Sequence, residues 1–151
     1  MRMTLAAALL AVLAAEAAAQ TGAPAPALRY AVLGDTIAAS LTGQPGDAAR
    51  GAALMGERSR SLCALCHAGP FAAPHFAGDI GPSLDGVGAR LSAAQIRLRV
   101  VDMRALNPNS PMPSFHQVPD APRVAAAWRD RPVLTAAEVE DIVAYLSSLG
   151  G

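Results

Sequence analysis

Residues 63–67 read Cys63-Ala64-Leu65-Cys66-His67, and Cys63 and Cys66 are the only two cysteines of the chain. Two thiols three apart, with a histidine directly behind the second, form the C-x-x-C-H signature for covalent attachment of c-type haem. On a helical turn, residues three and four apart share a face. Both thiols can then add to vinyl groups along one porphyrin edge, and His67 is held under the iron as proximal ligand. Other readings of the pair explain less. A redox dithiol expects a βαβ surrounding and leaves the histidine without a task. A structural zinc site needs about four N/S ligands. Only His75 and His116 remain, with no second ligand pair at finger-like spacing. A disulfide between the two cysteines would close a very small loop.

Composition agrees with a buried prosthetic group. Aromatic residues make up 4% of the chain and hydrophobic residues 52%. The apolar core is therefore expected to be mostly Ala, Val and Leu, and a buried porphyrin would supply the large flat body that these lack. The formal net charge is zero, and all 12 basic residues are arginine. A nucleic-acid partner would require a basic excess or stripe, and no such stripe is present. The missing lysine fits codon bias in a GC-rich genome.

Residues 1–19 read as a secretory signal peptide. Arg2 supplies the positive start, residues 5–13 the apolar run, and Ala17-Ala18-Ala19 an A-x-A-like cleavage site. The run is short for a membrane span of about 20 apolar residues, and Glu16 sits at its end. A cleaved, exported chain of about 132 residues is expected, with no membrane insertion. Haem is joined to C-x-x-C-H after translocation, so the expected location in a bacterium is the periplasm. Once both thiols are thioethers, no free thiol remains, and the chain cannot itself be a thiol catalyst even where disulfides are allowed.

The rest divides into an N-terminal arm, 20–46, and a domain, 47–151. The arm carries Pro24, Pro26 and Pro45 as breakers. Its Leu28, Tyr30, Val32, Leu33, Ile37 and Leu41 are more apolar than a solvated tail needs, so it is expected to pack on the domain or on a partner. Asp47 is a good N-cap for a helix over 48–60. Residues 68–90 read as a Gly- and Pro-rich loop. Ser92 with Gln95 forms a capping box for a helix over 92–105, which stops before Asn107-Pro108. Residues 107–119 read as a proline-studded loop and 121–129 as a short helix. Thr135 with Glu138 forms a second capping box, opening a final helix to 149 with Val139, Ile142, Val143 and Leu146 on one face. This order is that of a small all-α cytochrome.

A low-spin electron-transfer haem takes a second axial ligand, and methionine raises the potential relative to histidine. Met55 reads as core packing beside the motif. Met103, seven residues after Ile96 and three after Val100, reads as a core residue of its helix. Met112 lies in a loop between Pro111 and Pro113, 45 residues after His67. Two prolines restrict the backbone and would hold the thioether at fixed reach, so Met112 is the favoured distal ligand. A loop methionine packed on the core is the alternative, and His116 and His75 are the competing ligands. A metal-bound histidine donates its other ring N–H to a carbonyl or carboxylate, and the carbonyl of Pro82 is the expected acceptor for His67.

The whole exported chain resembles the SoxX family, the small c-type cytochrome subunits of the SoxAX complexes of bacterial thiosulfate oxidation. The resemblance rests on Gly34-Asp35-Thr36-Ile37, Pro45-Gly46-Asp47, the haem motif, and Gly81-Pro82-Ser83-Leu84. It continues in Leu98-Arg99-Val100-Val101-Asp102, Met112-Pro113-Ser114-Phe115 and the final helix. One departure is at Trp128-Arg129-Asp130-Arg131, where the family pattern has a glycine before the basic residue. The resemblance implies a class I cytochrome c-like fold with an extended arm and one covalent haem c. Cys63 and Cys66 would tether it, His67 and Met112 would ligate iron, and no residue of this chain would be catalytic. It further implies a SoxA-like cytochrome as heterodimer partner and a soluble cytochrome as electron acceptor. The partner would carry the cysteine that conjugates thiosulfate to a carrier protein, since no thiol remains here.

Overall fold

The computed structural model describes residues 30–71, 78–118 and 123–150. The signal segment, the first ten residues of the arm and His75 lie outside the described residues. Among the described residues five helices carry the fold: α1 (Ala48–Gly56), α2 (Cys63–Cys66), α3 (Val87–Arg90), α4 (Ala93–Asp102) and α5 (Ala136–Ser148). Among the described residues there is no strand, only an isolated bridge between Leu33 and Thr36.

The caps expected from the sequence are formed. The Asp47 side chain accepts from Arg50 N at the start of α1. Ser92 and Gln95 form a reciprocal capping box on α4, and Thr135 and Glu138 form one on α5. Each satisfies N–H groups that a helix start leaves without partners. Four expected elements differ. The first helix stops at Gly56 rather than 60, because the Leu54 carbonyl is taken by Glu57 N and by the buried Ser61 hydroxyl at 2.8 Å. The fourth ends at Asp102, whose extended backbone hands the chain to a 3₁₀ turn over Met103–Ala105. Within 121–129, the described residues hold one 3₁₀ turn, Ala126–Trp128. The stretch 68–90 is not all loop, since Gly86 in the left-handed region starts α3. Asp130 also has a left-handed φ of 58°. It occupies the position where a glycine would stand at no steric cost, and aspartate is among the residues that tolerate it.

Helices α1 and α5 cross in close contact. A Cβ on Gly51 would lie 2.0 Å from the Asp141 carbonyl oxygen, so only glycine lets the two backbones approach so nearly. The core gathers on this crossing and on α4, with Ile37, Met55, Leu98, Val101, Leu134 and Ile142 all essentially excluded from solvent. The apolar stripe Val139, Ile142, Val143 and Leu146 is buried as its spacing requires.

Two acids of α5 are buried as well. Glu140 pairs with Arg97 of α4 through two contacts, Nε–Oε1 at 2.8 Å and Nη2–Oε2 at 2.9 Å. The same carboxylate accepts from Leu41 N of the arm, and Arg97 Nη1 donates to the Ile37 carbonyl at 2.7 Å. A buried ion pair is tolerable only when its remaining hydrogen-bonding capacity is used, and here the arm backbone uses it. Asp141 accepts from Asp47 N and from Arg50. The described part of the arm is thus fastened to α4 and α5, with Ile37 as its buried anchor, while Val32 and Leu33 remain exposed.

Candidate haem site

Helices α1, α4 and α5 do not close on one another completely. They leave a cavity of about 660 Å³, within the range of about 300–1,000 Å³ usual for cofactor pockets. The segment 63–67 and the loop of Met112 both reach its wall. Core residues such as Ile96, Val100 and Leu134 line its interior.

The motif segment is shaped by its neighbours in sequence. Leu62 turns the chain with a left-handed φ of 60°, and one turn of helix follows. Cys63 and Cys66 are free thiols, both half-buried on the cavity wall. Before haem attachment, burial pushes the Cys63 thiol above its ordinary pKa. That is the reverse of what a redox dithiol needs, because the thiolate is the nucleophile.

His67 leaves the helix in an extended conformation, its N–H donating to the Cys63 carbonyl. Its Nδ1 lies 2.7 Å from the Pro82 carbonyl oxygen. A carbonyl can only accept, so Nδ1 carries the proton and Nε2 keeps a lone pair for a metal. Gly81 has a part that the sequence reading assigned only to its neighbour. A Cβ there would stand 2.4 Å from His67 Cε1 and 2.6 Å from Nδ1. The glycine therefore lies against the imidazole, and Gly81 N donates to the Cys66 carbonyl at 2.7 Å. The signal for it was the Gly-Pro pair itself.

Met112 is half-buried on the cavity wall. Its loop is held by Met112 N donating to Ser110 Oγ at 3.1 Å, by the Ser114 hydroxyl on Asp102, and by His116 N on the Val101 carbonyl. Met55 and Met103 also line the cavity. Met55 is fully buried in the core, as expected. Met103 differs from its reading as a core residue. It sits half-buried in the 3₁₀ turn and outside the core cluster, because the helix has already broken at Asp102.

His116 is 4% exposed and its Nδ1 lies 2.7 Å from the Leu134 carbonyl oxygen. It is not among the residues lining the cavity, so it serves as a buried anchor of the loop rather than as a competitor for a ligand there. Two arginines, Arg90 and Arg99, do line it, and nothing in their sequence spacing marked them. The residues present fit a haem: two thiols and an oriented imidazole share the wall of one apolar cavity with thioether sulfurs.

A cytochrome c family model matches residues 48–150. The fold is similar to that of a chain in the crystal structure of SoxXA from P. pantotrophus, with a TM-score of 0.71 and 30% identity, covering 81% of this chain and 95% of that one. It is also similar to the c-type cytochrome SorU from Sinorhizobium meliloti at 27% identity, covering 68% of this chain and 90% of that one, with a TM-score of 0.42. No curated protein matches the chain. With one C-x-x-C-H motif, an all-α class I cytochrome c-like fold and a family match over most of its length, the chain belongs to the cytochrome c family as a SoxX-like, electron-transferring member carrying one covalent haem c.

Proposed function

We propose that the chain is the electron-transfer subunit of a SoxAX-type complex, working beside a SoxA-like cytochrome and passing electrons to a soluble cytochrome. The observation that carries this reading is the reach of the likeness to the SoxXA chain. The family model matches only 48–150, whereas that likeness covers 81% of this chain and 95% of the other at 30% identity. The arm offers exposed Val32 and Leu33 at a fastened end of the domain, which a lone carrier does not require.

Within the site, Cys63 and Cys66 would hold the haem as thioethers, and His67 would offer its Nε2 lone pair to the iron. The Pro82 carbonyl accepts the hydrogen bond of Nδ1–H and fixes the ring, while Met112 would offer its sulfur to the iron. Bound haem supplies a one-electron couple at iron. The surrounding apolar residues exclude water from it, and a methionine–histidine pair keeps the couple suited to relay. Both cysteines are consumed, so any sulfur conjugation belongs to the partner. Thiosulfate chemistry thus enters through the complex, as the class of reaction whose electrons this chain removes. Export to the periplasm follows from the signal-like residues 1–19 and from where c-type haem is attached. No helix among the described residues is long and apolar enough to cross a membrane.

Size-exclusion of the native protein from its host, with haem staining of the eluted polypeptides, tests the reading. Co-elution with a second c-type haem polypeptide carrying an additional cysteine is expected. Elution as a lone monomer would make it a freestanding electron carrier instead.

A further inference from the structure

Arg90 and Arg99 are the two arginines on the cavity wall, and they are held in different ways. Arg90 is exposed and donates to the backbone carbonyls of Asp85 and Ser83. Arg99 is held by the arm. Its Nη2 lies 3.6 Å from Asp35 Oδ2, and its Nη1 donates to the Gln95 carbonyl at 3.0 Å. Asp35 Oδ2 also accepts from Gln95 Nε2 at 2.8 Å. Just beyond it, Ile37 N donates to the Ala94 carbonyl at 3.1 Å. An arm carboxylate is therefore docked behind an arginine that reaches the cofactor cavity.

A haem brings carboxylates of its own. A guanidinium presents five N–H donors in a planar fork, enough for two carboxylates at once. The Arg99 and Asp35 side chains are 26% and 48% exposed. Such a pair adds little to stability, so its placement matters more than its strength. A positive charge near the iron favours the reduced state, and a negative one favours the oxidised state. We propose that Arg99 is a positioning residue shared between Asp35 of the arm and a haem carboxylate, so that the seating of the arm sets the reduction potential. A partner that lifts the arm then changes the charge balance at the haem. The inference rests on the electron-transfer reading of the cavity.

Redox titration of the haem-loaded protein tests it. Arg99→Gln lowers the potential, Asp35→Asn raises it, and Arg99→Lys, which keeps the charge, stays closer to the parent than Arg99→Gln. The opposite signs are the decisive readout, because a merely loosened pocket admits water and moves both variants the same way. The split narrows as salt is raised, since a partly exposed pair is screened. Shifts of one sign, no shift, or equal behaviour of Arg99→Lys and Arg99→Gln would overturn the proposal. Should Arg99→Gln fail to fold, the isosteric Asp35→Asn decides alone, an unchanged or lowered potential sinking the idea. A parent protein expressed with haem-attachment machinery but lacking a c-type haem spectrum would instead sink the electron-transfer reading itself.

Discussion

Between Cys63 and Leu84 the chain is fastened by backbone bonds: His67 N to the Cys63 carbonyl, Gly78 N to Ala64, Gly81 N to Cys66 and Leu84 N to Ala68. Between Asn107 and His116 the fastening is of another kind. Asn107 Oδ1 and Ser110 Oγ accept from backbone N–H groups two residues on, and Ser114 reaches across to Asp102. Beside these stand the backbone bonds of Ser110 N to the Asn107 carbonyl, His116 N to the Val101 carbonyl and Leu134 N to the Phe115 carbonyl. Both segments reach the haem cavity, and the second leans more on side chains at its turns, Asn107, Ser110 and Ser114, in addition to its main-chain bonds. Main-chain frames are set by few residues and resist substitution. A side-chain frame can be released one hydroxyl at a time. The ligand expected in the second segment is therefore the more easily displaced of the two.

The largest effect expected is on the loop. Met112→Leu should abolish the long-wavelength sulfur-to-iron absorption of the oxidised haem protein and lower its potential, since methionine ligation raises it. Met55→Leu and Met103→Leu should keep that absorption. Its survival in Met112→Leu alone would move the ligand to Met103, the other half-buried methionine on the wall. In the motif segment, Gly81→Ala should cost about 1–3 kcal/mol, as overpacking does, read by denaturant unfolding of the haem protein. An unchanged midpoint would mean that the imidazole is not confined by that backbone. Ser114→Ala should cost about 1 kcal/mol through the lost bond to Asp102, and should raise hydrogen exchange in 110–116 without altering 63–67. Equal change in both segments would erase the contrast between them.

The smallest effect concerns the frame behind both segments. Arg50 beside Asp141 holds that carboxyl below the ordinary carboxylate range. A depressed folded value means stability that is present above the unfolded pKa of about 3.9. It is lost as pH falls through the folded value. The advantage of the parent over Asp141→Asn should be present at neutral pH and shrink as the solution is taken below about pH 4. Because Arg50 is largely exposed, the term is small, and acid unfolding followed by circular dichroism of both proteins would show it. An advantage that persists at the acid end would assign it to hydrogen bonding alone.

Much of the site was legible because it is local. The spacing of Cys63, Cys66 and His67, the two capping boxes and the Pro82 carbonyl all rest on turns whose geometry a few residues dictate. The end of α1 was misread because Ser61 folds back on Leu54 across a turn, which no helix-stop residue announces. His116, a competing ligand by sequence, is buried with its ring closed on the Leu134 carbonyl, 18 residues away. Nothing in the spacing of α5 marks Glu140 as buried, since its partners Arg97 and Leu41 belong to other elements.

Spacing and counting along the chain suffice to assign haem attachment to Cys63 and Cys66, to start helices at Asp47, Ser92 and Thr135, and to exclude a second thiol pair. Those properties follow from backbone periodicity and from counting. It takes the packed fold to lay Gly81 on the His67 ring, to keep His116 out of the cavity lining, and to bring the arm to the cavity wall through Asp35 and Arg99. Such meetings depend on how α1, α4 and α5 pack, and packing is settled by the shape and charge of groups far apart in the chain rather than by their spacing within it.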